Sequence, residues 1–382
     1  MMLTGMIMVL LSGGFLSWVL AKWNPAASRW TALFAVLIDF IISCYLWFQF
    51  REPVAGGATW LLDYQSTWIP SFGIGFHLAM DGLSLVLLML TFFLGILAVL
   101  CSWNEVRERP GFFYFNLLCT LAGISGVFVA MDLFLFYFFW EVMLVPMYFL
   151  ISIWGDANRR YAAYKFFIFT QTGGLLMLLA ILAVYFIHGH QTGVYTFDYF
   201  SLLDTVIEPS AGRWIFFGFL FAFAIKLPVV PFHNWLPDAH SEAPTAGSLL
   251  LAGLLLKTGA YGIMRFVLPL FPEIAATIAW WAILLGVIGI IYGALLAFGQ
   301  TDFKRLIAYT SVSHMGFVLL GIFSFTEIGM QGAVMQMLTH GISTGALFVL
   351  AGMLKERLHT RDIEKMGGLW TAMPLMGGVA LL

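Results

Sequence analysis

The sequence predicts an all-α polytopic membrane protein. Hydrophobic residues make up 61% of the 382-residue chain and charged residues only 10%, against about 25% charged in soluble domains. Apolar runs long enough to cross a bilayer, which takes roughly 20 residues, recur along its length. The alternating segments of about ten residues that mark an outer-membrane barrel are missing.

Taken in order, the spanning runs fall at 3–20, 30–50, 82–102, 112–131, 132–153, 163–187, 214–231, 246–269, 274–299, 305–323 and 328–354. A twelfth begins near Met373 and stops at Leu382, too short to cross, so an incomplete C-terminus is expected. The first run lacks a basic flank and a small-residue cleavage site, and is expected to be a retained helix. Cys44, Cys101 and Cys119 have no paired spacing, which argues against zinc, an iron–sulfur cluster or a disulfide framework. A net charge of −2 and the lack of any basic run give no sign of nucleic acid.

Basic residues orient the runs. With the N-terminus outside, only Arg51 and Arg213 fall in outer loops, and Lys226, Lys257 and Arg265 fall within helices. All other Lys and Arg residues, from Lys22 to Lys365, lie in inner loops, as the positive-inside rule requires. The outer loops 51–81 and 188–213 are expected to be ordered caps. The inner stretch 232–248, FHNWLPDAHSEAPTAGS, carries two prolines and follows Pro228 and Pro231. Proline removes a helical hydrogen bond, so helix seven is expected to break close to Lys226, as at transporter ion sites.

The candidate site comes from charges that the bilayer should exclude. A charge at the midplane costs about 2.5–3.5 kcal/mol on insertion scales. At 1.5 Å per residue, Glu141 lies roughly 14 Å from the outer end of its run and Lys226 roughly 18 Å from the outer end of its own. Lys257 lies roughly 16 Å from the inner end of its run, and His314 and His340 about 14 and 18 Å from their ends. Five ionisable groups at one depth suggest a route along the membrane plane. A lysine in low dielectric sheds its proton more readily, and a Glu–Lys pair there is bistable. Histidine relays a proton through its two nitrogens. Sodium would want oxygen ligands, which two lysines oppose.

Plainer readings stand beside these. Glu141 and Lys226 could form a static ion pair, and His314 and His340 could simply bridge helices. Asp39, equally deep, is expected to hydrogen-bond a Ser or Tyr. Lys304 and Arg305 are expected to anchor the membrane interface. His233, Asp238, His240 and Glu242 make a weak metal pattern and are read as water-facing or structural. His188 and His190 are assigned nothing specific.

The stretches FYFFWEVMLVPMYFLISIWG, KLPVVPFHNWLPDAHSEAPTAGSLLLAGLLLKTGAYGIMRF and QTDFKRLIAYTSVSHMGFVLLGI resemble the antiporter-like subunits of respiratory complex I. GAVMQMLTHGISTGALFVLAGML and HTRDIEKMGGLW extend the likeness. The resemblance implies an antiporter-like fold of inverted helix repeats in a bacterial plasma or inner membrane. Residues 1–111 would hold the N-terminal helices, 112–269 the first repeat and 274–382 part of the second. It implies that Glu141 pairs with Lys226, and that Lys257 passes protons onward with His314 and His340 nearby. This chain would hold no cofactor, leaving FMN and iron–sulfur clusters to partner subunits. Its partners would be other membrane-arm subunits, including further antiporter-like ones, together with lipid and protons.

Two other functions compete with a redox-driven proton-translocating subunit of NADH:quinone oxidoreductase. One is a subunit of a Na⁺/H⁺ antiporter or membrane-bound hydrogenase-type complex. The other is an electron carrier binding haem or quinone, for which His314 and His340 would have to face a common group.

Overall fold

The computed structural model describes residues 1–55 and 59–380. Residues 56–58 of the first outer loop and the end of the twelfth run, 381–382, lie outside the described residues.

Each predicted run is helical: α1 (Met2–Leu20), α2 (Pro25–Ala55), α3 (Gly82–Glu105), α4 (Pro110–Val129), α5 (Leu133–Trp154) and α6 (Arg159–Thr192). They are followed by α7 (Pro209–Lys226), α8 (Thr245–Leu270), α9 (Pro272–Phe298), α10 (Phe303–Phe323) and α11 (Glu327–Leu358). Among the described residues ten of these are long and apolar enough to cross a membrane, and α7 is the one outside that set. The short α12 (Pro374–Ala380) lies within the twelfth run.

Local chemistry sets the helix starts. Asp81, Asp132, Asp302 and Thr326 cap α3, α5, α10 and α11, each side-chain oxygen accepting from a backbone N–H of the first turn. Such caps are worth about 1 kcal/mol each. Proline opens α4, α7 and α9, where its missing N–H costs nothing. Beyond Lys226 the chain turns through Pro228 and Pro231 and becomes helical again at Trp235–Glu242. Thus α7 begins and ends about five residues earlier than its apolar run suggests.

The loop between α2 and α3 contains a β-hairpin that the apolar pattern does not announce. Strand β1 (Leu62–Ile69) pairs antiparallel with β2 (Ile74–Met80) from Leu62↔Met80 to Ile69↔Ile74, with an irregularity between Thr67 and Ile69. Gly73 makes the turn at φ 65°, a conformation cheap only for glycine. The loop between α6 and α7 is shorter than expected, because α6 runs on to Thr192. His188 is therefore helical, and its Nδ1 meets Thr205 Oγ1 at 2.8 Å, a specific tie to the returning chain.

His77 joins the two loops. Its Nδ1 lies 2.5 Å from Asp198 Oδ1 and its Nε2 lies 3.0 Å from Asp63 Oδ1. Burial alone would lower the imidazole pKa, but the Asp198 and Asp63 carboxylates outweigh it and raise it above 6.5. Burial opposes the Asp198 charge too, yet His77 and Ser201 hold that carboxyl below 3.8. A raised histidine contributes fully below 6.5 and loses its contribution as pH climbs through the raised value. A lowered carboxyl contributes above 3.8 and loses its share as pH falls through the lowered value. Hydrogen exchange of β2 and of residues 196–202 should therefore be slowest, after correction for intrinsic rate, between about pH 4 and 6.5. Protection should weaken at alkaline pH and be lost in His77→Gln. Equal protection at every pH would contradict the tie.

The core lies around α8, where 94% of an 18-residue apolar stretch is buried, against 22% of the corresponding stretch of α9. A Cβ on Gly259 of α8 would stand 2.7 Å from Phe223 O and 2.8 Å from Leu227 N. Glycine there lets α8 touch the end of α7, which brings the two buried lysines onto neighbouring backbone.

Candidate functional site: ionisable groups within the helices

Glu141 on α5 and Lys226 at the end of α7 do not form the expected ion pair. The Glu141 Oε1 atom accepts from Gln171 Nε2 of α6 at 3.3 Å. Lys226 is fully buried and its ammonium has no hydrogen-bond partner. It sits 5.2 Å from the Trp140 ring centroid and 5.5 Å from that of Phe166. Aromatic faces attract a desolvated cation by about 2 kcal/mol or more, so the rings stand in for the missing carboxylate.

Lys257 and His340 do pair. Lys257 Nζ lies 2.6 Å from His340 Nδ1 and donates to Ala252 O at 2.5 Å, all in the buried core. The Ala252 carbonyl belongs to a π-helical turn, Leu251–Leu255, and a second such turn follows at Ile263–Val267. These wide turns bracket the segment that carries Lys257, a local irregularity common at functional sites. The His314 and His340 rings meet edge to face with centroids 5.5 Å apart. His314 Nδ1 and His340 Nε2 have no partner. A proton on Lys257 can pass to His340 Nδ1 along one short hydrogen bond, while the free His340 Nε2 can release a proton on its other side. The two rings are in edge-to-face contact, so they do not face a common group held between them.

Other expectations need correction. Asp39 is fully buried and neither carboxyl oxygen has a hydrogen-bond partner, so no Ser or Tyr answers it. Lys304 is 1% exposed and donates to Ala243 O at 2.8 Å. It therefore pins the turn after the short helix Trp235–Glu242 rather than anchoring a membrane surface. His240 is buried too, stacked on Phe348 with centroids 4.6 Å apart, and does not face water. Among the described residues no group of three His, Cys, Asp or Glu is arranged for a metal ion.

A charge network around the short helix Trp235–Glu242 was invisible in the sequence. Asp238 binds Lys165 at 2.6 Å and Arg305 at 3.0 Å. Arg361 reaches Asp156 and Asp302, each at 3.0 Å, and Glu242 at 3.6 Å. Glu242 Oε2 in turn accepts from Asn158 N at 2.7 Å. The network ties the short helix to the starts of α6 and α10 and to the chain after α11, fixing the segment that continues from Lys226. HTRDIEKMGGLW held its Arg361, but most of these pairings join residues 67 to 205 positions apart and leave no local signal.

Residues 130–382 match the family model described as NADH:quinone oxidoreductase/Mrp antiporter, transmembrane. The whole chain aligns with NADH-quinone oxidoreductase subunit M of Pseudomonas aeruginosa at 54% identity, covering 77% of that protein. It aligns over its whole length with the protein of the same name from Escherichia coli K12 at 53% identity, covering 76% of it. Among solved structures, 98% of the chain superposes on 77% of a chain in respiratory complex I from Thermus thermophilus with bound NADH, at TM-score 0.87 and 32% identity.

Proposed function

This chain belongs to the NADH:quinone oxidoreductase/Mrp antiporter family, and we propose that Glu141, Lys226, Lys257, His340 and His314 are its proton relay. The chain is a membrane subunit of NADH:quinone oxidoreductase and thus part of a proton-translocating enzyme. We assign flavin and iron–sulfur chemistry to partner subunits. Those partners include further antiporter-like subunits in a bacterial inner membrane.

The observation that carries the relay is the buried Lys257–His340 hydrogen bond of 2.6 Å, made with no carboxylate. A structural cation would be stabilised by an anion; a lysine shared with an imidazole instead has two places for one proton. In the proposed cycle Glu141 swings to Lys226 and holds a proton there. When Glu141 is neutralised or withdrawn, the proton leaves Lys226 toward Lys257 and then His340 and His314. Residues 112–269 and 274–382 act as two repeats of opposite orientation, the N-terminus faces outside, and Trp235–Glu242 is the second half of a broken helix seven. The inner charge network supports that last point, since it holds the short helix where α7 would have continued.

Lys226→Ala tests the relay. It leaves the half-buried Glu141 without the lysine it would pair with, and Glu141 then stays neutral. Coupled quinone reduction and proton transport should both fall severalfold per assembled complex, with this subunit present in normal amount. Loss of the subunit from the purified complex would instead mark Lys226 as a packing residue. The antiporter alternative is tested by the same purification, which should recover flavin and iron–sulfur subunits with this chain.

A further inference from the structure

Four basic residues stand apart from the charge network. Among the described residues Lys22, Arg109, Arg159 and Arg160 have no carboxylate partner, unlike Lys165, Arg305, Lys355 and Arg361. Exposed cations are solvated singly at little cost, so that alone means little. These four, however, line two adjoining hollows where the ends of α1 and α5 meet the starts of α4 and α6. One, of about 330 Å³, holds Arg109, Arg159 and Arg160, with Trp154 and a single acid, Glu108. The other, of about 460 Å³, is lined by Lys22, Arg109, Trp18 and Phe112 and is otherwise apolar. Arg109 borders both. The Phe112 ring meets Trp18 and Trp154, with centroids 6.0 and 5.9 Å away. Neither α4 nor α6 has a side-chain cap, and the first residues of each line these hollows. Orphan backbone N–H groups and the positive ends of two helix dipoles therefore add to the arginines. Asp156, close by, is already taken by Lys355 and Arg361.

We propose that the two hollows are one binding site for an anionic phospholipid. Its phosphate lies among Arg109, Arg159 and Arg160, and an acyl chain runs along Trp18 and Phe112. Both parts of the site call for this ligand. A soluble anion would leave the aromatic groove empty, and a neutral lipid would leave the three arginines unanswered. Arginine suits phosphate because its planar fork offers two parallel N–H donors. Basic hollows between membrane helices bind lipid headgroups on the same principle. Tryptophans such as Trp18 and Trp154 sit at headgroup level in membrane proteins. Trp18 is 42% exposed, which leaves the groove open to the bilayer. An acidic segment of another subunit would answer the arginines equally well, but the apolar groove beside them favours an acyl chain. The site is independent of the relay.

The test uses the intact, purified enzyme and phosphatidylglycerol carrying a photoactivatable diazirine on one acyl chain. Phosphatidylcholine with the same chain is the control. After illumination, phosphatidylglycerol should label residues 18–22 and 110–112 several times more than the control does. The advantage should shrink as added salt screens the charges. Each arginine at a membrane surface strengthens anionic-lipid binding roughly fivefold. Arg159→Gln and Arg160→Gln should therefore each lower the labelling by about that factor, at equal subunit content. Glu108→Gln removes the one acid of the polar hollow and should raise it, an effect that misfolding cannot produce. Equal labelling by the two lipids, or labelling unchanged in both arginine variants, would overturn the site. So would a carbodiimide cross-link from Lys22 to another subunit with no lipid label, because an acidic protein segment would then fill the hollows.

Discussion

Glu141→Gln should leave an assembled complex that transports few or no protons when driven by NADH. Glutamine keeps the shape of the side chain and can still bond Gln171, 3.3 Å from the present carboxylate oxygen. It cannot carry the negative charge that holds a proton on Lys226. In the state of the proposed cycle where Glu141 lies against Lys226, removing one partner costs about 3–5 kcal/mol, enough to reduce a charged Lys226 by orders of magnitude. Transport measured in sealed vesicles should fall at least tenfold on that scale. Glu141→Asp should recover part of it, because the charge remains on a shorter arm. Normal transport by assembled Glu141→Gln would remove Glu141 from the path.

Lys257→Arg should be at least as damaging as Lys257→Ala. Arginine keeps the positive charge but holds its proton above pH 12. It is also larger, in a site where Lys257 and its neighbours from Leu254 to Tyr261 are all buried. With arginine, His340 Nδ1 would face a donor that never yields its proton, and the relay would stop at α8. A fixed structural cation predicts the reverse order, with arginine the milder change wherever space allows. Turnover per complex, normalised to the amount of this subunit, distinguishes the two orders. Because the larger guanidinium could also harm packing, the test compares complexes of equal subunit content.

The helices were legible because bilayer thickness imposes a length that apolar runs report directly. Lys226 and Lys257 were legible for the same reason: a charge inside such a run is conspicuous. What each charge touches was not. Lys257 and His340 are 83 positions apart in sequence, and nothing in either helix names the other. Gln171, the actual partner of Glu141, carries no charge and so raises no flag within an apolar helix. Lys304 looked like an interfacial anchor because it follows Asp302 at a helix start. Its burial depends on the turn at Ala243 folding back over it, a tertiary fact. The hairpin was missed because LDYQSTWI is only partly apolar and follows a Gly-rich stretch, so it read as loop. Its pairing with β2 depends on the Gly73 turn and on the docking of Gly75 N onto Asp132 Oδ2 at 2.9 Å. The π turns beside Lys257 follow from backbone hydrogen bonds that no residue pattern announces.

The central claim is that Glu141 and Lys257 lie in series on one proton path. Groups acting as a unit are non-additive, so the double variant should be no worse than the worse single. The decisive measurement is the number of protons moved per electron in sealed vesicles by the intact enzyme. It is made on wild type, Glu141→Gln, Lys257→Arg and the double variant at equal subunit content. A double variant equal to the more impaired single is the predicted result. A double variant whose loss is the sum of two partial losses would place the residues on independent paths and contradict the relay.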